Sequence, residues 1–310
     1  MYDLIIVGGG PTGITAGIYV ARKNINTLLL AKDFVGQAGK AGEIENWPGS
    51  YLISGQKLVS DFKNHLQKFE INIKEEEVKG IEKKGEIFEV STVNNNVLQA
   101  RTVIVASGRN PRPLKVPGEE KFTGKGVSFC SICDAPFFKN KTVAVIGGGN
   151  SAFETALDLK EYASKIYILE FSPKIIADED CQESAKDSGK ITVITNAAVK
   201  EIKGKDFVES IIYEDKVSGK KVELEVKGVF VGIGSLPATA FLKNLVDFNQ
   251  SGEIKINPKT CETRTPGLFA AGDVTDVKYK QIVIACGEGA KAALSVHEYL
   301  EKLKQNGKTK

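Results

Sequence analysis

Several residue types are scarce in this 310-residue chain: two histidines (His65 and His297), one tryptophan (Trp47), one methionine and five arginines (Arg22, Arg101, Arg109, Arg112, Arg264). No apolar run approaches the roughly 20 residues that span a bilayer. Met1-Tyr2-Asp3-Leu4 lacks the basic opening of a signal peptide, so a cytoplasmic location is expected. Excess charge of one sign is lacking too. The 42 Lys+Arg and 39 Asp+Glu are interspersed and leave +3, too mild for a nucleic-acid surface. Five cysteines without a signal argue against a secreted disulfide framework. Low-complexity segments and long linkers are missing. At 42% hydrophobic residues the chain is not disordered, and its length suits roughly two domains.

Glycine, by contrast, is plentiful, and it clusters. Tyr2 to Val7 is an apolar run, followed by Gly8-Gly9-Gly10-Pro11-Thr12-Gly13 and then Ala16, Gly17 and Val20 at helical spacing. Thr27 to Ala31 makes the next strand. G-x-G-x-x-G in a strand–turn–helix–strand setting binds a dinucleotide: one glycine makes the turn, one admits the pyrophosphate, one lets helix and strand pack. The helix N-terminus offers free N–H groups to the phosphates. The pattern recurs. Thr142 to Ile146 leads into Gly147-Gly148-Gly149-Asn150-Ser151-Ala152, an amphipathic stretch with Ala156, Leu157 and Leu159, and the strand Lys165 to Leu169. Two copies predict two dinucleotide sites; the alternative is a duplicated fold with one dead site.

Shorter strands are expected at Phe88–Val93, Thr102–Ala106 and Val229–Val231, with a hairpin from Phe207–Tyr213 to Lys221–Val226. Leu268 to Asp273 is a strand with a glycine–acid end, and a helix is expected from near Gly287 to Leu303. The polar tail Lys304–Lys310 should fray. The strand and helix after Pro266 return most simply to the first domain. The fold class is therefore α/β: two Rossmann-like three-layer ββα nucleotide-binding domains, the second inserted in the first. The expected domains are 1–113 with 245–310, and 114–244.

Cys130-Ser131-Ile132-Cys133-Asp134 carries the reactive chemistry. Two thiols at this spacing can close a disulfide and reopen it. A zinc site would need a second Cys/His pair at suitable spacing, which His65 and His297 do not provide. Inert thiols are the third reading. Asp134 could carry a proton to or from a thiolate, or serve as a turn residue. Two dinucleotide sites and a redox dithiol imply an electron chain from nicotinamide to flavin to disulfide.

At this point the chain resembles the low-molecular-weight thioredoxin reductases and the related flavoprotein of alkyl hydroperoxide reductase. The likeness covers nearly all of the chain. It rests on both glycine runs, Glu45-Asn46-Trp47-Pro48-Gly49, Ala106-Ser107-Gly108, Cys130 to Asp134, and Ala270-Ala271-Gly272-Asp273-Val274 with Tyr279-Lys280-Gln281. Cys261 to Leu300, and Leu169-Glu170-Phe171 with Pro173, look more like the peroxide-reductase flavoprotein. The resemblance implies FAD along Gly8, Gly10, Pro11, Thr12 and Gly13, with Gln37, Asn46, Ser107, Gly108, Gly272, Asp273, Lys280, Gln281 and Ile282 around it. It implies NAD(P)H at Gly147, Gly149, Asn150, Ser151, Glu154 and Glu170. Cys130 and Cys133 would be the redox pair, one of them forming the charge-transfer thiolate and the other attacking substrate, with Asp134 as the acid. The family's nucleotide domain swings between two orientations; hinge candidates here are Arg112–Lys115 and Ala238–Lys243. Homodimers are usual in the family.

Some positions depart from the family pattern. Where NADPH-specific relatives place basic residues, this chain has Glu170-Phe171-Ser172-Pro173-Lys174. Glu170 stands where an acid hydrogen-bonds a ribose 2′-OH, so NADH is expected over NADPH; the alternative is a solvated strand-end acid. In the first domain Ala31-Lys32-Asp33 stands in place of the usual strand-end acid, Val35-Gly36-Gln37 replaces G-G-Q, and Ala135 replaces a common glycine. The resemblance leaves out the N-terminal thioredoxin-like extension of the peroxide-reductase flavoprotein. Electrons are then expected to leave directly to a separate thioredoxin or glutaredoxin-like protein. The same reductase fed by ferredoxin is the alternative. Trp47 is equally a core residue or a neighbour of FAD.

Overall fold

The computed structural model describes residues 1–41, 43–242 and 244–308, so Lys243, at the edge of one expected hinge, lies outside the described residues. The chain forms two compact units. The first comprises Met1–Lys40, Trp47–Asn110 and Leu236–Lys310, and the second Ala41–Asn46 and Pro111–Ser235. The chain thus crosses between units at 40/41, 46/47, 110/111 and 235/236, where the expected division had crossings after 113 and after 244 alone.

Unit 1 opens with β1 (Tyr2–Val7), α1 (Pro11–Ala21), β2 (Thr27–Ala31), α2 (Gly55–Leu66), β3 (Asn72–Glu75), β4 (Val78–Lys84), β5 (Ile87–Thr92) and β6 (Val97–Val105). Unit 2 contributes β7 (Val127–Ser128), α3 (Ser131–Asp134), β8 (Thr142–Ile146), α4 (Asn150–Leu159), β9 (Lys165–Leu169), α5 (Glu179–Asp187) and β10 (Ile191–Ile194). It continues with β11 (Ala197–Gly204), β12 (Val208–Asp215), β13 (Lys221–Glu225) and β14 (Gly228–Val231). Unit 1 closes with β15 (Leu268–Ala270) and α6 (Ile282–Lys308).

In unit 1, parallel strands run in the order β3-β2-β1-β6. β6 is long enough to serve two neighbours on its other edge. Its first half pairs antiparallel with β5 (Phe88 opposite Ala100), and its second half pairs parallel with β15 (Leu268 opposite Val103). β4 follows β5 antiparallel. The unbroken apolar runs that define β1 and β2 reflect burial on both faces. Leu4, Ile6 and Leu29 join a core with Ile14, Val20 and Val296 from α1 and α6. Ile5, Val7 and Leu28 pack on the opposite side with Phe88 and Val90 of β5. Each such side chain contributes about 1.5–3 kcal/mol when fully buried.

Unit 2 repeats the plan. Its parallel sheet runs β7-β14-β8-β9-β10, and β11-β12-β13 forms an antiparallel sheet. Val143 and Val145 meet Phe153 and Ala156 of α4 on one face, while Ala144 and Ile146 meet Ile202 and Ile211 of the antiparallel sheet on the other. Both units are therefore Rossmann-like three-layer folds.

Two expectations need correcting. α6 begins at Ile282, ahead of Gly287, and runs through both glycines; Gly289 stands where α6 passes the Thr12 carbonyl, with which a Cβ would collide. That contact outweighs the roughly 1 kcal/mol that a helical glycine costs. The helix also runs on to Lys308, into the stretch expected to fray, with Lys304 paired to Glu301 at 2.8 Å. Trp47 is half-buried and edge-on to Phe62 of α2, with ring centroids 5.1 Å apart.

Candidate active site

The two glycine loops have matching geometry. Gly8 (φ 124°) and Gly147 (φ 126°) both occupy the left-handed region that side chains avoid, at the turn from strand to helix. A Cβ on Gly8 would collide with the Ala106 carbonyl at the end of β6, and one on Gly147 would stand 2.7 Å from Gly232 O at the end of β14. Each loop ends in a helix N-cap glycine without a side-chain cap, Gly10 before α1 and Gly149 before α4. Space beside Gly10 is open, with nothing within 4 Å of where its Cβ would be. Uncapped N–H groups facing open space, over a floor of glycines, fit a pyrophosphate.

In unit 1 the C-terminal strand ends gather most of the expected flavin-site residues. Gly272 (φ 76°) packs so closely on Thr12 that a Cβ would strike its hydroxyl. Ser107 donates its hydroxyl to Ala238 O (2.7 Å), and Gln37 donates its amide to Arg109 O (3.2 Å). Burial pushes the Asp273 carboxyl up, while Lys280 and Arg109 pull it back down. Lys280 and Arg109 share one carboxylate, that of Glu253: Lys280 lies 3.1 Å away, and Arg109 is paired directly. Lys280 also donates to Thr275 O at 2.6 Å. Burial works to raise Glu253, but Asn249, Lys280 and Arg109 outweigh it and hold the carboxyl below its ordinary range. Gln281 and Ile282 stand at the start of α6. Asn46 is exposed and groups with unit 2. Asp33 accepts from Val35 N (2.9 Å) and Gly36 N (3.0 Å), so it caps its own turn.

In unit 2 a cleft of 350 Å³ is lined by Gly147, Glu170, Phe171, Lys200 and Ile233 among others. Glu170 lies against Gly148, whose Cβ would stand 2.6 Å from Glu170 Cγ, and accepts from Ser172 N at 2.7 Å. Phe171 is exposed, with Lys216 Nζ 3.6 Å from its ring centroid. Asn150 is tied to Asp178 by two bonds, accepting from Asp178 N (2.7 Å) and donating to its carboxylate (2.8 Å). Ser151 and Glu154 are exposed on the first turns of α4.

Cys130 and Cys133 form a disulfide with Cα atoms 5.4 Å apart. Cys130 caps α3: its sulfur accepts from Cys133 N (3.2 Å), and its carbonyl accepts from Asp134 N (3.2 Å). Burial pushes the Asp134 carboxyl up, with the Ser128 hydroxyl working against it. Its Oδ1 is buried and has no hydrogen-bond partner among the described residues. Among these residues no group of His, Cys, Asp and Glu could hold a metal ion, and no helix is long and apolar enough to cross a membrane.

Residues 2–289 match the pyridine nucleotide-disulphide oxidoreductase family. The chain belongs to that family. It is 43% identical over 300 residues to a Bacillus subtilis protein named NADH dehydrogenase, covering 96% of this chain and 58% of that one. It is 42% identical over 308 residues to an Escherichia coli alkyl hydroperoxide reductase subunit, covering 98% of this chain and 59% of the relative. The chain thus spans about three-fifths of the length of these curated relatives. Among solved structures, thioredoxin reductase from Streptococcus pyogenes superposes with a TM-score of 0.93 at 36% identity, covering 97% of this chain and 99% of that one. Thioredoxin reductase from Giardia duodenalis gives 0.91 at 32%, covering 97% and 99%. The family implies FAD, a nicotinamide and a redox disulfide, and both glycine loops and the Cys130–Cys133 pair fit that set.

Arg109, Glu253, Phe171 and Asp178 were not singled out for these roles from the sequence. Glu253 reaches Arg109 across 144 positions, and no local pattern marks such a pair.

Proposed function

We propose that this chain is an NADH-driven protein-disulfide reductase of thioredoxin-reductase type. Unit 1 would hold FAD through the Gly8–Gly13 loop, Ser107, Gly272 and Asp273, and unit 2 would hold the nicotinamide nucleotide through the Gly147–Ser151 loop and Glu170. FAD, when bound, supplies the two-electron link between nicotinamide and disulfide. The protein residues do the rest. The Cys133 N–H aimed at Cys130 Sγ stabilises a thiolate there once the disulfide opens. The other thiol is then free to attack a partner's disulfide. Burial pushes the Asp134 carboxyl up, in the direction that lets it carry a proton to a departing thiolate and take one back.

The observation that carries the reading is the disulfide in the same unit as a nucleotide cleft edged by Glu170. The carboxylate lies beside Gly148, where it would accept from a ribose 2′-OH and repel a 2′-phosphate. A protein of thioredoxin or glutaredoxin type is the partner proposed. The alkyl hydroperoxide reductase relatives favour a second reading, in which the accepting protein disulfide belongs to a peroxide-reducing partner.

The test is anaerobic stopped-flow reduction of the FAD-loaded protein with NADH and, separately, NADPH. Fast flavin bleaching by NADH and slow bleaching by NADPH is expected. Equal or faster bleaching by NADPH overturns the donor assignment. No bleaching by either, in protein that dithionite reduces, overturns the nicotinamide reading and turns the search to a donor such as ferredoxin.

A further inference from the structure

Ser131, the residue after Cys130, is buried, and its hydroxyl donates to Asp158 Oδ2 at 2.7 Å. Asp158 lies in the last turn of α4, the ten-residue helix whose first turn forms the second glycine loop. The helix that carries Cys133, α3, has only four residues. So short a helix does not hold itself together, since the cost of its first turn is not repaid by propagation. Cys130 is tied upstream by Ser128, whose Oγ accepts from Cys130 N at 3.1 Å. Phe138, downstream, is buried in the core with Val143 and Phe230. Between these anchors, the Ser131–Asp158 bond ties the interior of the C-x-x-C segment to the sheet-packed helix.

We propose that Ser131 and Asp158 are a positioning pair that keeps Cys130 and Cys133 within closing distance when their disulfide is open, and so sets the stability of that disulfide. The proposal rests on reading Cys130–Cys133 as a redox pair. In the oxidised state the S–S bond itself holds the segment. On reduction the S–S bond breaks as two electrons and one proton enter, leaving a thiolate at Cys130 and an S–H at Cys133; the hydrogen bond then limits how far the two sulfurs can separate. A freer dithiol has more conformational entropy to lose on closing, so loss of the bond favours the open form. A hydrogen bond to a carboxylate is strong enough to change the equilibrium by roughly tenfold.

The experiment equilibrates FAD-loaded protein anaerobically in dithiothreitol buffers of stepped reduced-to-oxidised ratio, then counts alkylated Cys130 and Cys133 by mass spectrometry. The variants are Ser131→Ala, Asp158→Ala, the double variant, Ser131→Thr and Asp158→Asn. Ser131→Ala and Asp158→Ala should each shift the midpoint about tenfold toward dithiol, about 30 mV for a two-electron couple. The double variant should go no further than either single. Ser131→Thr and Asp158→Asn keep a donor and an acceptor and should stay near the wild type. Thermal melting of the oxidised forms checks that every variant is folded. A Ser131→Ala midpoint equal to the wild type overturns the proposal. So does an Asp158→Asn shift as large as that of Asp158→Ala, which would assign the effect to charge. A wild-type disulfide that no buffer ratio opens overturns the redox reading itself.

Discussion

Glu170 and Gly148 are in contact such that any side chain on Gly148 would displace the carboxylate: a Cβ there would stand 2.6 Å from Glu170 Cγ. The acid is thereby held at the second glycine loop, and Ser172 N fixes its other side at 2.7 Å. Glu170→Gln should cut the kcat/KM preference for NADH over NADPH by roughly 10–100-fold, because a carboxylate–hydroxyl bond is weakened and a like-charge repulsion is lost. Gly148→Ala should act in the same direction by pushing the carboxylate aside. Steady-state kinetics with both donors checks this; an unchanged ratio in both variants contradicts the assignment.

Asp134 has its carboxyl pushed up by burial. A folded-state value above the unfolded one means its contribution to stability is full below the ordinary carboxylate range and is lost as pH rises through the raised value. Asp134→Asn should therefore melt at a higher temperature than the wild type at pH 7–8, with the gap closing in acid. The same variant should turn over protein disulfide roughly 100-fold more slowly and lose the alkaline limb of the pH–rate profile. Melting curves and pH–rate profiles of the pair test both halves.

Glu253 serves two cations, Arg109 and Lys280, and is itself mostly buried. Glu253→Gln removes the carboxylate that Arg109 and Lys280 share and should cost about 3 kcal/mol at neutral pH. The carboxyl is held low, so its stabilisation is present above the ordinary carboxylate range and is lost as pH falls through the depressed value. Urea unfolding at pH 7 and in acid should show a large difference that narrows as the pH drops. A constant difference would point to packing instead of charge.

Cys261 is fully buried, and burial with the neighbouring Glu288 pushes its thiol up to about 12. Its Sγ lies 3.5 Å from Glu288 Oε2. Iodoacetamide at pH 8 should label reduced Cys130 and Cys133 in folded protein and reach Cys261 only after denaturation. Peptide mapping of labelled protein decides the matter, and rapid native labelling of Cys261 would contradict this burial.

The strand–loop–helix units were readable because their apolar runs are buried on both faces and their glycines stand at turns only glycine can make. β1, β2, β8 and β9 have the residue limits that the sequence suggests. The β12–β13 hairpin was readable from its Ser218-Gly219 turn. The start of α6 was not, because Gly287 and Gly289 look like breakers until Thr12 is placed beside Gly289. Neither was the Arg109–Glu253–Lys280 cluster, whose members meet only through the tertiary fold. The Cys130–Cys133 motif was visible in the sequence, whereas its tie to Asp158 came from the structure.

The central claim is that NADH electrons reach the Cys130–Cys133 disulfide. Anaerobic incubation of the FAD-loaded protein with NADH, followed by alkylation and peptide mass analysis, tests it most directly. Both Cys130 and Cys133 should become alkylated only after NADH is added. Flavin reduction with the disulfide intact would contradict it.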